Sequence, residues 1–150
     1  GAFCDKAREL QVGDVLRLGE LRGGALHYDP DWHARPLWLL AAGTGLAPLW
    51  GILREAVRQG HGGEIRVMHV AHDHAGHYLA EPLLEREGVS VERVLVNQLD
   101  EALAGLRPSS RQTIALLCGA PGSVERFARR LFIAGVPRNQ VLADVFVEHA

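Results

Sequence analysis

The chain has 150 residues, about the size of one domain, and a formal net charge of −2, which lacks the basic excess of most nucleic-acid-binding proteins. No apolar run approaches the roughly 18 residues that a transmembrane helix needs. The two cysteines are too few for a disulfide framework and fit a reducing compartment. We therefore expect a cytoplasmic protein with no membrane span and no nucleic-acid partner.

The first residue is Gly1 and the single methionine is Met68, so the sequence does not begin with a natural start residue. The amino terminus has neither the basic region nor the apolar region of a signal peptide. We expect the chain to be part of a longer protein.

Residues 1–35 lack the regular sequence pattern of the rest of the chain. Apolar and polar residues alternate from Gln11 to Glu20, which predicts one or two short strands. The segment from Gly19 to Asp31 is rich in glycine, aspartate and proline, so it is predicted to be a loop or linker.

From residue 36 onward, apolar runs that predict strands alternate with apolar residues at helical spacing. The predicted strands are 37–42, 65–71, 89–96, 113–118 and 140–147. Predicted helices begin at Pro48, Pro82 and Leu99, and a fourth follows the N-cap candidate Ser123. This order predicts an α/β fold in three layers, a Rossmann-like five-stranded parallel sheet with helices on both faces and a short β remnant before it.

Two glycine-rich turns, 43–45 and 119–122, follow the first and fourth predicted strands. Ligands of such sheets bind at the carboxyl ends of the strands, where the strand order reverses. The glycines of the first turn allow backbone amides to approach an anion, Thr44 adds a hydroxyl, and the helix dipole points to the same place. On these residues alone, a pyrophosphate-binding turn and an ordinary strand-to-helix turn both remain open.

The two turns together resemble the pyridine-nucleotide signatures of the ferredoxin–NADP reductase family of flavin-dependent reductases, and the resemblance covers residues 36–150. The first signature is Ala42-Gly43-Thr44-Gly45-Leu46-Ala47-Pro48, and the second is Cys118-Gly119-Ala120-Pro121-Gly122. The resemblance implies that the cofactor pyrophosphate is held by Gly43, Thr44, Gly45 and Pro48. It implies that the nicotinamide is bordered by Cys118, Gly119 and Pro121, with Cys118 positioning the ring. Phe146 is the nearest match to an aromatic residue beside the flavin. Core packing is the alternative for Cys118 and Phe146.

The amino-terminal sequence Leu10-Gln11-Val12-Gly13-Asp14 resembles the last strands of the flavin-binding barrel of this family. We therefore expect residues 1–35 to be the carboxyl-terminal remnant of a FAD-binding barrel with a linker, and residues 36–150 to be the NAD(P)-binding domain. The family's Arg-x-Tyr-Ser/Thr flavin signature does not occur in this sequence. FAD is therefore expected in the full-length protein and is doubtful for this chain.

The residues after the second predicted strand bear on the choice between NADH and NADPH. His72 stands where members of the family often have an arginine that meets the adenosine ribose or its 2′-phosphate. Asp73 is able to accept hydrogen bonds from ribose hydroxyls. NADH is therefore expected, although a protonated His72 would still pair with the phosphate of NADPH.

Four histidines fall within nine residues: His69, His72, His74 and His77. Imidazoles suit zinc, copper or nickel, so a metal-binding module is one interpretation. A polar loop at the adenosine end of the site is the other, and it is favoured because strand alternation puts His69 on the face opposite His72 and His74.

The resemblance implies an oxidoreductase that passes hydride from NAD(P)H to FAD and then electrons to an iron–sulfur domain, a redox protein or a haem acceptor. The alternative is a non-catalytic subunit of the same fold that binds nucleotide or flavin in electron transfer or regulation. Substitution of Gly45 by valine is expected to abolish nucleotide binding with the fold intact.

Overall fold

The computed structural model describes residues 2–20, 24–79, 81–82, 85–108 and 111–146. Its centre is one parallel sheet whose strands lie in the order β3-β2-β1-β4-β5. The strands are β1 (Leu37–Ala42), β2 (Ile65–Ala71), β3 (Val89–Leu95), β4 (Ile114–Gly119) and β5 (Val141–Val145). The predicted α/β fold with a five-stranded parallel sheet is therefore confirmed.

The helices with complete bounds are α1 (Ala2–Arg8), α2 (Leu46–Arg58), α3 (Leu99–Gly105) and α4 (Pro121–Ile133). Two of them begin earlier than predicted. Helix α2 begins at Leu46 because a 3₁₀ turn, Gly43–Gly45, leads directly into it, so Pro48 is its third residue. Helix α4 begins at Pro121 with Ala120 as its N-cap. The helix predicted from Pro82 lies partly outside the described residues.

Alternate side chains of the central strands face opposite layers, so both faces of the sheet are buried. Leu37 and Leu39 of β1 pack on the face that α2 covers. Trp38 and Leu40 pack on the other face, against α3 and α4. Both faces of the sheet are therefore covered, and only the ends of its strands are left for a ligand to approach.

The strands predicted between Gln11 and Glu20 are absent: these residues form no strand and lie exposed. Val12 is 109% exposed, Val15 91% and Leu18 93%. A strand needs hydrogen bonds from a neighbour, and the alternating pattern cannot provide one. The predicted β remnant is therefore wrong for these residues, whereas the origin of the segment in a flavin-binding barrel stays a prediction.

The segment that follows, residues 24–36, packs on the sheet. Trp32 is buried, and Leu26 and Tyr28 pack against the core on the α2 face. Arg35 donates from Nε to the carbonyl of Gln112 (2.8 Å) and from Nη2 to Oε1 of Gln140 (2.6 Å). The segment predicted to be a linker therefore contributes to the packing of the α/β domain.

In the described part of the chain, no helix has both the length and the apolarity to cross a membrane.

Candidate functional site

A groove of about 450 Å³ lies at the carboxyl edge of the sheet, beside the ends of β1 and β4. The strand order reverses between these two strands, which is where parallel α/β sheets bind ligands. Both glycine-rich turns reach the groove. Its lining consists of Ala42, Gly43, Thr44, Val70, Ala71, His72, Val96, Ala120, Pro121, Ser123 and Phe146.

The two turns pack against each other through glycines. A Cβ atom on Gly45 would lie 2.2 Å from the carbonyl oxygen of Cys118, and one on Gly119 would lie 2.7 Å from that of Ala42. Gly45 is buried and does not line the groove. The expectation that Gly45→Val leaves the fold intact is therefore wrong, because the added side chain would displace the backbone of β4.

The first turn presents Gly43 and Thr44 to the groove. Gly43 has a φ of +54°, in the left-handed region that favours glycine, and a Cβ there would meet nothing within 4 Å. Pro48 is half-buried and lies outside the groove lining. The structure therefore divides the first signature: Gly43 and Thr44 face the groove, and Gly45 serves the packing of the turn.

Two helices begin at the groove without a side-chain cap. The N-cap residues are Gly45 for α2 and Ala120 for α4, and neither makes a side-chain capping hydrogen bond. The amide of Leu46 donates to the carbonyl of Gly43, and the amides of Ser123 and Val124 donate to that of Ala120. The amides of the two turns that keep no such partner, together with the two helix dipoles, attract anions. The hydroxyl-bearing Thr44 and Ser123 line the same space. This arrangement suits a phosphate-bearing ligand.

Cys118 and Phe146 occupy different environments. Cys118 is fully buried in the core on the α2 face and does not line the groove. Burial, reinforced by the carboxylate of Asp144, raises the pKa of its thiol to about 11, so the thiol is protonated at neutral pH. Phe146 is 40% exposed and lines the groove, and its amide donates to the carbonyl of Gly119 (3.0 Å).

His72 and Asp73 follow β2 at one end of the groove. His72 is exposed and lines it. Asp73 is exposed and caps the short turn His74–Gly76, since its Oδ1 accepts from the amide of Gly76 (2.9 Å). No lysine or arginine stands among the groove-lining residues that the structure describes.

The histidines of the predicted cluster separate into two environments. His72 faces the groove, whereas His69 is 1% exposed and packs beside His77, with ring centroids 5.1 Å apart. The described residues contain no group of three or more His, Cys, Asp or Glu side chains arranged to hold a metal ion.

Sequence reasoning missed a contact behind the first turn. His69 Nε2 donates to the carbonyl of Gly43 (2.9 Å), and the hydroxyl of Tyr78 donates to the carbonyl of Thr44 (3.1 Å). One signal was present in the sequence: His69 is the lone ionisable residue in the apolar run from Val67 to Ala71. A polar side chain in a buried strand needs a hydrogen-bond partner.

No protein-family model matches the sequence, and neither does any curated protein. Solved structures do match. The reductase GcoB from Amycolatopsis is 23% identical with a TM-score of 0.69, and the match covers 91% of this chain and 47% of that chain. The CS-b5R domains of human Ncb5or, in the NAD+ form, are 20% identical with a TM-score of 0.66, over 95% of this chain and 45% of that chain.

A third match is a mutant of ferredoxin-NADP+ reductase from Plasmodium falciparum in complex with 2'P-AMP. It is 14% identical with a TM-score of 0.56, and the match covers 75% of this chain and 52% of that chain. This chain has the fold of the NAD(P)-binding domain of ferredoxin reductase-type flavoenzymes. It spans about half the length of these three proteins. At these identities the likeness concerns the fold, so the activity must be argued from the groove.

Proposed function

We propose that this chain is the nicotinamide-nucleotide-binding portion of a flavin-dependent oxidoreductase. The observation that carries the proposal is the meeting of two glycine turns and two uncapped helix starts at the edge of a sheet with this strand order. In the intact protein, NAD(P)H supplies a hydride to FAD, and electrons then pass to an iron–sulfur or haem acceptor. The chain contributes binding and orientation, while the redox chemistry belongs to the cofactors.

Each part of the groove has a chemical use in this proposal. The amides of the first turn and the hydroxyl of Thr44 suit the pyrophosphate, since both donate hydrogen bonds to an anion. Pro121 and Phe146 form an apolar end where a nicotinamide ring would pack. His72 and Val96 border the opposite end, at β2 and β3, where an adenosine would lie.

NADH is the proposed nucleotide. A 2′-phosphate is usually met by an arginine or lysine, and none lines the described groove. Asp73 uses one carboxylate oxygen to cap the turn after β2, which leaves the other to accept from a ribose hydroxyl. A carboxylate at this place also repels a second phosphate.

Cys118 takes part indirectly in this proposal. Its backbone carbonyl lies against Gly45, and its side chain supports the sheet beneath the second turn. We propose that it sets the position of Gly119 and Pro121 beside the nicotinamide. A role as a nucleophile would require a thiolate, and the raised pKa of its thiol opposes this.

The remaining parts of the proposal concern the whole protein. Residues 1–35 would be the end of a FAD-binding barrel with a linker, and FAD would be held elsewhere in the full-length protein. The acceptor would be a redox protein or an iron–sulfur domain, in the cytoplasm. Solved structures of the same fold include a ferredoxin reductase in carbazole 1,9a-dioxygenase and a flavohemoglobin with bound FAD and heme.

Calorimetric titration of the chain with NADH and NADPH tests the binding step. We expect NADH to bind and NADPH to bind at least about tenfold more weakly, which corresponds to about 1.4 kcal/mol. Thr44→Val is the test variant, and it should bind NADH more weakly because it exchanges the hydroxyl of a groove-lining residue for a methyl group. An absence of nucleotide binding, or affinity unchanged in Thr44→Val, would contradict the proposed site.

Reduction of the flavin in the full-length protein tests the catalytic step. Rapid mixing with NADH should bleach the flavin absorbance in the absence of any acceptor. Nucleotide binding without bleaching would instead favour the non-catalytic subunit of the same fold.

A further inference from the structure

The first glycine turn is held from behind by side chains of β2 and the segment after it. The carbonyl of Gly43 accepts from His69 Nε2 at 2.9 Å, and the carbonyl of Thr44 accepts from the Tyr78 hydroxyl at 3.1 Å. His69 is 1% exposed, and both side chains lie on the α2 face, away from the groove lining. Neither side chain is therefore placed to touch a ligand in the groove.

The direction of these hydrogen bonds determines the direction of the amides. In a trans peptide the C=O and N–H groups point in opposite directions. When the carbonyl of Gly43 is drawn toward His69, the amide of Thr44 points away from the core. The hydroxyl of Tyr78 also lies 3.5 Å from the carbonyl of Gly43 and so supports the same orientation. The amide of Gly45 is taken up by the carbonyl of Ala42 within the 3₁₀ turn, so the amide of Thr44 is the one that an anion at the start of α2 would meet.

The proton arrangement of His69 follows from its partners. Burial lowers the pKa of His69, so one ring nitrogen carries a proton at neutral pH. A carbonyl can only accept, so the proton that faces Gly43 is on Nε2. Nδ1 of His69 is then left as an acceptor, and Nδ1 of His77 lies 3.4 Å from it, where a proton on His77 Nδ1 would complete a hydrogen bond between the two rings.

The segment after β2 is arranged to bring these donors into place. Asp73 caps the turn His74–Gly76, which sends the chain back toward β2 at His77 and Tyr78. Leu79 follows with a φ of 59°, in the left-handed region, and packs against the core on the α2 face. A leucine in this conformation is strained, because its Cβ approaches the following carbonyl oxygen. The packing therefore retains a strained backbone directly beside Tyr78.

We propose that His69 and Tyr78 are positioning residues for nucleotide binding, which act by aiming the amide of Thr44 into the groove. The proposal rests on the proposed nucleotide-binding function. It assigns to His69 a task other than metal binding or contact with adenosine.

The test compares variants that remove or keep the donor. His69→Leu removes it, His69→Gln supplies an amide N–H near the place of Nε2, and Tyr78→Phe removes only the hydroxyl. We expect NADH affinity to fall about tenfold in His69→Leu and about threefold in Tyr78→Phe, the range that one neutral hydrogen bond supports. His69→Gln should stay within about twofold of the parent chain. His74→Gln, an exposed histidine of the same segment, is the control and should bind like the parent.

Hydrogen exchange of the amide of Thr44 in the nucleotide-free chain gives a second readout. Exchange should be faster in His69→Leu and restored in His69→Gln. If the parent chain binds NADH and folded His69→Leu or Tyr78→Phe binds it equally well, positioning is refuted while the proposed function stands. If His69→Gln is as weak as His69→Leu, the donor is not the reason and the proposal fails.

A parent chain that binds no NADH refutes the proposed function, and unchanged exchange in His69→Leu then refutes the positioning separately. If His69→Leu does not fold, Tyr78→Phe decides the matter through its affinity and the exchange of its Thr44 amide.

Discussion

Substitution of Gly45 by alanine is expected to destabilise the fold strongly. The new Cβ would lie 2.2 Å from the carbonyl oxygen of Cys118, 2.5 Å from its carbonyl carbon and 2.8 Å from the amide nitrogen of Gly119. All three are backbone atoms of β4, so no side chain can turn aside to make room. Forcing extra atoms into a packed site costs about 1–3 kcal/mol, and a backbone clash belongs at or above the upper end.

A loss of about 3 kcal/mol is large against the stability of about 5–15 kcal/mol of a typical domain. For a chain of this length it corresponds to a fall in Tm of about 6–12 °C. Thermal unfolding followed by circular dichroism measures the effect. The loss of nucleotide affinity should follow the size of the displacement of the first turn and of the end of β4.

Gly43→Ala is the matched comparison two residues earlier. Its Cβ would meet nothing within 4 Å, so the cost comes from the positive φ of +54° alone. We expect about 1 kcal/mol, or about 2–4 °C in Tm, together with weaker NADH binding because the methyl group would enter the groove. Equal Tm values for the parent chain and Gly45→Ala would refute this reasoning, as would a larger destabilisation by Gly43→Ala.

Other substitutions separate binding from stability. Thr44→Val should weaken NADH binding about threefold to tenfold in calorimetry, with Tm unchanged, because only a groove-facing hydroxyl is lost. His72→Arg should raise NADPH affinity about tenfold by supplying a charged donor for the 2′-phosphate; unchanged affinity would place the adenosine elsewhere. Trp32→Ala should cost about 3–5 kcal/mol in denaturant unfolding, since residues 24–36 pack on the sheet. His69→Gln should make the free energy of unfolding depend less on pH below 6.5. Burial lowers the pKa of His69 in the folded chain, so just below pH 6.5 only the unfolded chain binds this proton. The parent chain therefore loses up to about 1.4 kcal/mol of stability per pH unit in that range.

The parallel sheet was predictable because its central strands, β1 and β4, are continuous apolar runs. Residues 37–42 and 114–118 form strands that are buried on both faces of the sheet. When such strands alternate along the chain with helices, few topologies other than a parallel sheet are possible. Helix starts were less predictable. Pro48 and Ser123 are both favourable near a helix start, yet the chain enters each helix earlier, through the turn itself.

Alternation of apolar and polar residues failed as a predictor between Gln11 and Glu20. The pattern describes a strand that is half-buried on a sheet, and a single segment provides neither the sheet nor its hydrogen bonds. The exposed Val12 and Leu18 show what such a pattern looks like without a neighbour. The local sequence therefore indicates a preference for the strand conformation, whereas a strand forms only where a neighbouring strand supplies its hydrogen bonds.

The candidate site was predictable in position and less so in the task of each residue. Strand order and glycine turns locate the groove, and Thr44, His72, Pro121 and Phe146 do line it. Cys118 was not separable from its neighbours by sequence, since the residue before a turn can face either layer. The contacts of His69 and Tyr78 were missed because their partners are backbone carbonyls, which the sequence does not reveal; the position of His69 in an apolar strand indicated only that it needed some partner.

The two glycine turns depend on each other, and this limits what mutation of either can show. A Cβ on Gly45 would strike the end of β4, and a Cβ on Gly119 would strike the end of β1. Each glycine is therefore required by the opposite turn, whether or not a ligand is present. A loss of nucleotide binding in a Gly45 or Gly119 variant would follow from either role. Thr44 is exposed and lines the groove without taking part in this glycine packing, so its variant tests ligand recognition separately from assembly of the turn.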